Sequence, residues 1–277
     1  MRAALLQITS SDDPGENLGV VRSAVADAAR AGAGFVLTPE VTNCVSASRT
    51  RQREVLRPQD GDPLLAALRE EAARKGIWLL IGSLALKTDD PDGRFANRSF
   101  VITPSGDIAA CYDKIHMFDV AVSTEETYRE SAGYRPGDRA VLADTPFGTL
   151  GLTICYDVRF PALYRTLAQA GAQILSVPSA FSPVTGAAHW QALLQARAIE
   201  TGCYVLAPAQ CGTHAASRGR VRRTYGHSLA VSPWGEILGD GGEVPGVVMV
   251  DLDLDEVHSA RRRVPSLEHD RPFRTPQ

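Results

Sequence analysis

Gly151-Leu-Thr-Ile-Cys155-Tyr-Asp-Val-Arg159-Phe-Pro161 joins an apolar run to a polar turn, and the turn leads into a segment with helical spacing. A strand that turns directly into a helix is the repeating unit of an α/β fold. It also sets Cys155 at the C-terminal end of the strand, where backbone N–H groups at the turn face the side chain. That setting is expected to lower a thiol pKa and to offer donors to an oxyanion. Two other segments end in the same manner. Glu40 closes Gly34-Phe-Val-Leu-Thr-Pro-Glu40, and Lys114 lies in Cys111-Tyr-Asp-Lys114-Ile-His-Met-Phe118. A carboxylate, an amine and a thiol at strand ends form a complete set for acyl transfer.

Lys114 stands out by rarity. Of 29 Lys plus Arg only three are lysines, Lys75, Lys87 and Lys114. Lys75 suits a solvated helix end and Lys87 a surface loop. Lys114 stands among Tyr112, Ile115, Met117 and Phe118, where an ammonium needs a partner. Asp113 is the bland choice of partner, and a carboxylate of a catalytic site is the other.

Strands and helices alternate outward from this core. Strands are expected at Ala3–Thr9, Gly34–Pro39, Ile77–Leu86, Arg98–Thr103, Ile108–Phe118, Leu150–Ile154, Ile174–Val177, Tyr204–Ala209, Ser228–Ser232 and Val247–Asp251. Helices are expected at Asn17–Ala31, Pro63–Lys75 with Gly76 as its stop, Pro161–Ala170, Ala187–Thr201 and Leu254–Arg263. Residues 120–138 read as a loop over the site. No repeat or composition break divides the pattern, so one domain spanning residues 1–277 is the simplest organisation, with a polar tail from about Val264. The hairpins at 98–118 and 140–154 favour a mixed sheet or two stacked sheets over a purely parallel one.

Composition narrows the function classes. The 277 residues are 44% hydrophobic, enough to bury a large core, and the net charge of −3 gives no general pull toward nucleic acid or anionic membranes. No apolar run is long enough to span a bilayer. The first ten residues read as a strand and not as a signal peptide. Five cysteines (44, 111, 155, 203 and 211) without paired C-x-x-C spacing support neither zinc nor a disulfide framework, so reduced thiols in a cytoplasm are expected.

The Glu40, Lys114 and Cys155 segments, in that order, resemble the nitrilase superfamily of carbon–nitrogen hydrolases, and the resemblance runs over residues 2–272. It implies an α/β fold of four layers, an α-β-β-α sandwich, with a Glu-Lys-Cys triad and neither metal nor organic cofactor. Glu130, in Tyr128-Arg-Glu-Ser131, matches a second glutamate of that family. The resemblance implies a cysteine-dependent amidase working through a thioester. Its alternative within the fold, a catalytically silent scaffold, would be marked by a lost triad residue, and none is lost.

The C-terminal half is similar to a branch of amidases acting on deaminated glutathione, the 2-oxo analogue of glutathione. The residues that carry it are Cys155-Tyr-Asp-Val-Arg-Phe-Pro161, Pro178-Ser-Ala-Phe181, Thr185-Gly-Ala-Ala-His189-Trp190 and Ala209-Gln-Cys-Gly212. A related branch, ω-amidase acting on 2-oxoglutaramate, shares the first and third of these segments, and N-carbamoyl or other small amides remain alternatives. Expected substrate contacts are Tyr156, Arg159, Ser179, Phe181, Thr185 and His189. The basic stretch Arg218–Arg223 reads as a solvated loop or as an attractor of a substrate carboxylate. A homodimer is expected, packed through Phe160–Ala170 with Leu163, Tyr164 and Leu167 near the interface.

Overall fold

The computed structural model describes residues 1–122 and 126–274. The chain begins with β1 (Arg2–Gln7), α1 (Pro14–Arg30), β2 (Phe35–Leu37), α2 (Arg49–Val55), α3 (Pro63–Lys75), β3 (Trp78–Leu86), β4 (Ala96–Ile102) and β5 (Ile108–Asp113). A small hairpin, β6 (Asp119–Ala121) and β7 (Thr127–Arg129), precedes β8 (Val141–Thr145), β9 (Gly148–Leu152), α4 (Pro161–Gln169), β10 (Ile174–Ser176) and α5 (Pro183–Thr201). The remainder is β11 (Tyr204–Ala207), β12 (Cys211–His214), β13 (Arg222–Tyr225), β14 (Leu229–Val231), β15 (Ile237–Asp240), β16 (Gly246–Asp251) and α6 (Leu254–Arg263). Two six-stranded sheets result, ordered β16-β1-β2-β3-β4-β5 and β15-β14-β11-β10-β9-β8.

Side-chain alternation along the strands makes the layers. Ala3, Leu5, Phe35, Leu37 and Leu80 share a core with Leu150, Leu152 and Ile174 of the second sheet. Ala4, Leu6, Val36 and Leu79 point the other way and pack with Val21 and Val25 of α1 and Leu64 and Leu68 of α3. On the second sheet a Cβ at Gly151 would stand 2.9 Å from Leu175 and 3.3 Å from Leu167 of α4, so the outer face there is closed by helix. The order is helix, sheet, sheet, helix. Capping fixes the helix ends: Asp13 accepts from the Gly15 N–H at 2.8 Å to start α1, and Gly76 stops α3 at φ 64°.

Several expectations need correction. The expected loop at 120–138 contains the β6–β7 hairpin and a short 3₁₀ turn at Glu130–Ala132, while positions 123–125 of it lie outside the described residues. Helix α5 starts at Pro183 instead of Ala187, because proline suits the first helical position. His189 and Trp190 are therefore within the helix and not at its start. The apolar stripe of α4 is spent inside the chain. Leu163, Tyr164, Leu167 and Ala168 are buried, and Tyr164 donates to or accepts from Thr153 Oγ1 at 2.6 Å. The tail lies across the outer side of the same helix: Arg165 donates to the Ser266 carbonyl at 2.9 Å and Gln169 to the Leu267 carbonyl at 3.0 Å.

Candidate active site

Glu40 stands three residues beyond β2 in a turn held from several sides. Thr42 Oγ1 donates to the Pro39 carbonyl at 2.6 Å, the Val41 N–H to Ser83 Oγ at 2.8 Å, and the Gly82 N–H to Thr38 Oγ1 at 3.1 Å. Gly82 has to be glycine, since a Cβ there would come 2.0 Å from the Thr38 carbonyl oxygen. Val41 takes φ 46°, a left-handed conformation that costs a β-branched residue strain. Cys155 also sits at positive φ, 49°, on the first residue of a 3₁₀ turn running to Arg159. Its N–H is tied to the Pro178 carbonyl at 3.0 Å, whereas the Tyr156 N–H has no backbone acceptor among the described residues. Strain at both positions is held by the surrounding bonds, the usual pattern where a side chain must be aimed.

Lys114 joins the site just past β5. Its Nζ lies 2.9 Å from Glu40 Oε1 and 2.9 Å from each oxygen of Glu130. The lysine is 2% exposed, and two carboxylates hold its charge. Asp113, the bland partner, instead faces Arg98 in a two-bond pair. Glu40 Oε1 also accepts from Asn97 Nδ2, and Oε2 from the Ala180 N–H, both at 2.9 Å. Glu130 Oε2 takes the Phe118 N–H at 2.6 Å.

These contacts set the protonation states. Burial pushes the Glu40 carboxyl up, but the Lys114 charge and hydrogen bond, helped by Arg222 and Cys155, bring it below the ordinary carboxylate value. Burial lowers Lys114, yet Glu130 and Glu40 more than offset this and hold it well above the usual lysine. For Cys155 burial comes first and the Glu40 carboxylate second, both raising the thiol, against Lys114 and the Ala180 N–H. The lowered thiol pKa expected at a strand–helix turn is thus not found. The turn's N–H is engaged elsewhere, and the carboxylate beside the sulfur disfavours a second anion. A neutral thiol beside an ionised base is the resting arrangement.

Cys155, Glu40, Lys114 and Glu130 line one cavity of about 580 Å³. Tyr156, Phe181 and Thr185 also line it, as expected from the sequence. Ser179, Arg159 and His189 do not. Ser179 is fully buried in the sheet, its hydroxyl donating to the Val177 carbonyl. Arg159, at the end of the 3₁₀ turn, lies over the rings of Tyr156 and Phe181 and meets His189 Nδ1 at 3.3 Å. In their place the cavity holds side chains that pattern reading missed: Asn97, Arg49, Tyr128, Tyr134 and Arg222. Only the positive run at 218–223 carried a signal for any of these. Among the described residues no group of three or more His, Cys, Asp or Glu is arranged to hold a metal ion, and no helix is long and apolar enough to cross a membrane.

The chain is similar to known proteins over nearly its whole length. A family model described as carbon-nitrogen hydrolase matches residues 2–262. A deaminated glutathione amidase of Yersinia enterocolitica is 39% identical over 269 residues, covering 97% of this chain and 92% of the relative. Among solved structures, the C. elegans NitFhit protein superposes with a TM-score of 0.88 at 34% identity, over 98% of this chain and 65% of that longer one. An amidase from Nesterenkonia sp. AN1, solved with acrylamide added to its active-site cysteine, superposes with a TM-score of 0.77 at 28% identity, over 96% of this chain and 98% of that chain.

Proposed function

Because the chain belongs to the carbon–nitrogen hydrolase family, we propose that it is an amidase that hydrolyses deaminated glutathione to 2-oxoglutarate and cysteinylglycine, with Cys155 as nucleophile. The observation that carries this reading is the meeting of a neutral thiol, an ionised Glu40 and a charged Lys114 in one cavity. Relatives at 38–40% identity over nearly the whole chain, from bacteria to mammals, act on deaminated glutathione by name and support the choice of substrate.

In this mechanism Glu40 accepts the thiol proton as the Cys155 sulfur attacks the amide carbon. The developing oxyanion is met by the Lys114 ammonium and the Tyr156 N–H, donors of the kind whose removal costs roughly 3–4 kcal/mol of barrier. Glu40 returns the proton to the departing nitrogen as the carbon–nitrogen bond breaks, which leaves a thioester and a free amine. It then takes a proton from water, hydroxide adds to the thioester, and the carboxylic acid leaves with the thiol restored. Glu130 keeps Lys114 charged and aimed. No step needs a metal or an organic cofactor.

The test is a side-by-side measurement of kcat/KM on deaminated glutathione and on 2-oxoglutaramate with purified protein. The reading expects the first to be the better substrate, and a clear preference for 2-oxoglutaramate would make the chain an ω-amidase instead. A cytoplasmic homodimer completes the proposal. Five free cysteines suit a reducing compartment. The neighbouring exposed side chains of Ile199, Trp234 and Val264 offer a surface for a second copy. Light scattering at micromolar concentration tests the pairing.

A further inference from the structure

Arg222 opens β13 and lines the same cavity as Cys155. Its Nη2 donates to the Ala180 carbonyl at 2.7 Å, and the N–H of that same Ala180 donates to Glu40 Oε2 at 2.9 Å. One residue therefore separates the guanidinium from the catalytic carboxylate, and the arginine's charge helps hold Glu40 ionised. Tyr128 supports Arg222 with its ring centroid at 6.0 Å.

Arg49 lines the cavity as well, donating to Gln52 Oε1 at 2.9 Å and lying 5.0 Å from the Tyr134 ring centroid. Its guanidinium passes directly over Gly133, where a Cβ would stand 1.8 Å from it. Both arginines line the same cavity as Tyr134. Ion pairs tie up Arg51, Arg98 and Arg218, yet no carboxylate of the described residues forms an ion pair with Arg222 or Arg49. Two fixed cations facing a cavity and lacking an acidic partner mark a site for an anion.

We propose that Arg222, assisted by Arg49, binds a carboxylate carried by the leaving amine, and so selects peptide-like leaving groups over ammonia. The inference rests on the amidase reading above. Glu40 delivers the proton to the departing nitrogen, so the leaving group extends on the Glu40 side, where Arg222 stands. A dipeptide carries its carboxylate about 7 Å from its amino nitrogen when extended, a reach suited to a group one residue beyond Glu40. Released ammonia has nothing to place there. This also gives the basic hairpin a role beyond the help that Arg222 lends Glu40.

The experiment compares wild type and Arg222→Gln on three substrates: deaminated glutathione, the same molecule with its glycine carboxylate converted to an amide, and 2-oxoglutaramate. The ratio of kcat/KM for deaminated glutathione to that for 2-oxoglutaramate should fall about 10- to 100-fold in Arg222→Gln, mainly through KM, as expected for one lost charged hydrogen bond. Arg222→Lys should recover part of it. Wild type should prefer the free carboxylate to its amide by a similar factor, a result that stands even if the variant folds poorly. An unchanged ratio, or a wild type indifferent to the amide, overturns the subsite. A wild type that hydrolyses 2-oxoglutaramate but not deaminated glutathione removes the substrate reading, and the subsite with it.

Discussion

The Tyr112 hydroxyl donates to Asp157 Oδ2 at 2.7 Å and so ties the strand leading to Lys114 to the turn carrying Cys155. Asp157 is fully buried. The same oxygen accepts the Ile154 N–H at 2.8 Å, while Oδ1 accepts the His116 N–H at 3.0 Å and faces His116 Nδ1 at 2.7 Å. The His116 ring stacks on Phe160 at 3.5 Å. Tyr112 and His116 flank Lys114 on both sides, so one carboxylate sets the distance between ammonium and thiol.

Asp157→Asn should therefore injure the site beyond its cost in stability. The amide turns an NH₂ toward donors, leaving buried groups unpaired at about 1–3 kcal/mol each. Denaturant unfolding should show a loss of about 2–4 kcal/mol. In fully folded protein at low temperature, kcat should fall at least 10-fold with KM nearly kept, because the effect is on alignment. Unchanged kcat in folded Asp157→Asn would limit Asp157 to a structural role.

The pH dependence follows from the ion cluster. Glu40 is depressed in the folded state, so its contribution to stability is present above the unfolded value of about 4.3 and is lost as pH falls through the folded value. Lys114 is raised, so its contribution is present below about 10.4 and is lost as pH rises through the folded value. The thiol is raised as well. The profile of kcat/KM should stay flat through neutrality, bend only below about 4.3 as Glu40 protonates, and show no inflection near the ordinary cysteine value of about 8.5. Iodoacetamide alkylation of Cys155 followed against pH gives an independent reading. An inflection at or below about 8 would mean that the free thiol ionises far more easily than its surroundings allow.

Tyr164 separates core from interface. It is fully buried, bonded to Thr153, with the Arg197 guanidinium 5.4 Å from its ring centroid. Tyr164→Glu should fail to fold, or lose about 4 kcal/mol or more, because it buries an unpaired charge. Tyr164→Phe should lose about 1 kcal/mol and leave the molar mass by light scattering unchanged. A change of assembly in Tyr164→Phe without loss of stability would return α4 to the interface.

How far the sequence could be read depended on the kind of signal each residue carried. Glu40, Lys114 and Cys155 were legible because each follows an apolar strand, and because Lys114 is a rare lysine among arginines in apolar company. The layers followed from alternation such as Ala3 and Leu5 against Ala4 and Leu6. Arg222 was legible only as part of the basic run 218–223, which read equally as a solvated loop. Its hairpin, β12–β13, carries Gly212, His214, Arg222 and Arg223 in place of apolar alternation, and its place depends on Ala180, far away in the chain. Helix α2 was missed because Arg49-Thr-Arg-Gln-Arg-Glu-Val55 buries only Gln52. Arg159 misled by its nearness in sequence, since a 3₁₀ turn decides direction and spacing does not. The α4 stripe is a true buried face, but a stripe by itself does not tell which neighbour covers it.

The most direct test of the account is acid-quenched peptide mapping of wild type during turnover of deaminated glutathione. It should find the Cys155 peptide carrying an acyl group equal in mass to 2-oxoglutarate less water, with the same adduct arising from 2-oxoglutaramate. The adduct should disappear as substrate is exhausted, and Cys155→Ala should show neither adduct nor turnover. Sustained product release by Cys155→Ala would contradict the account at its centre.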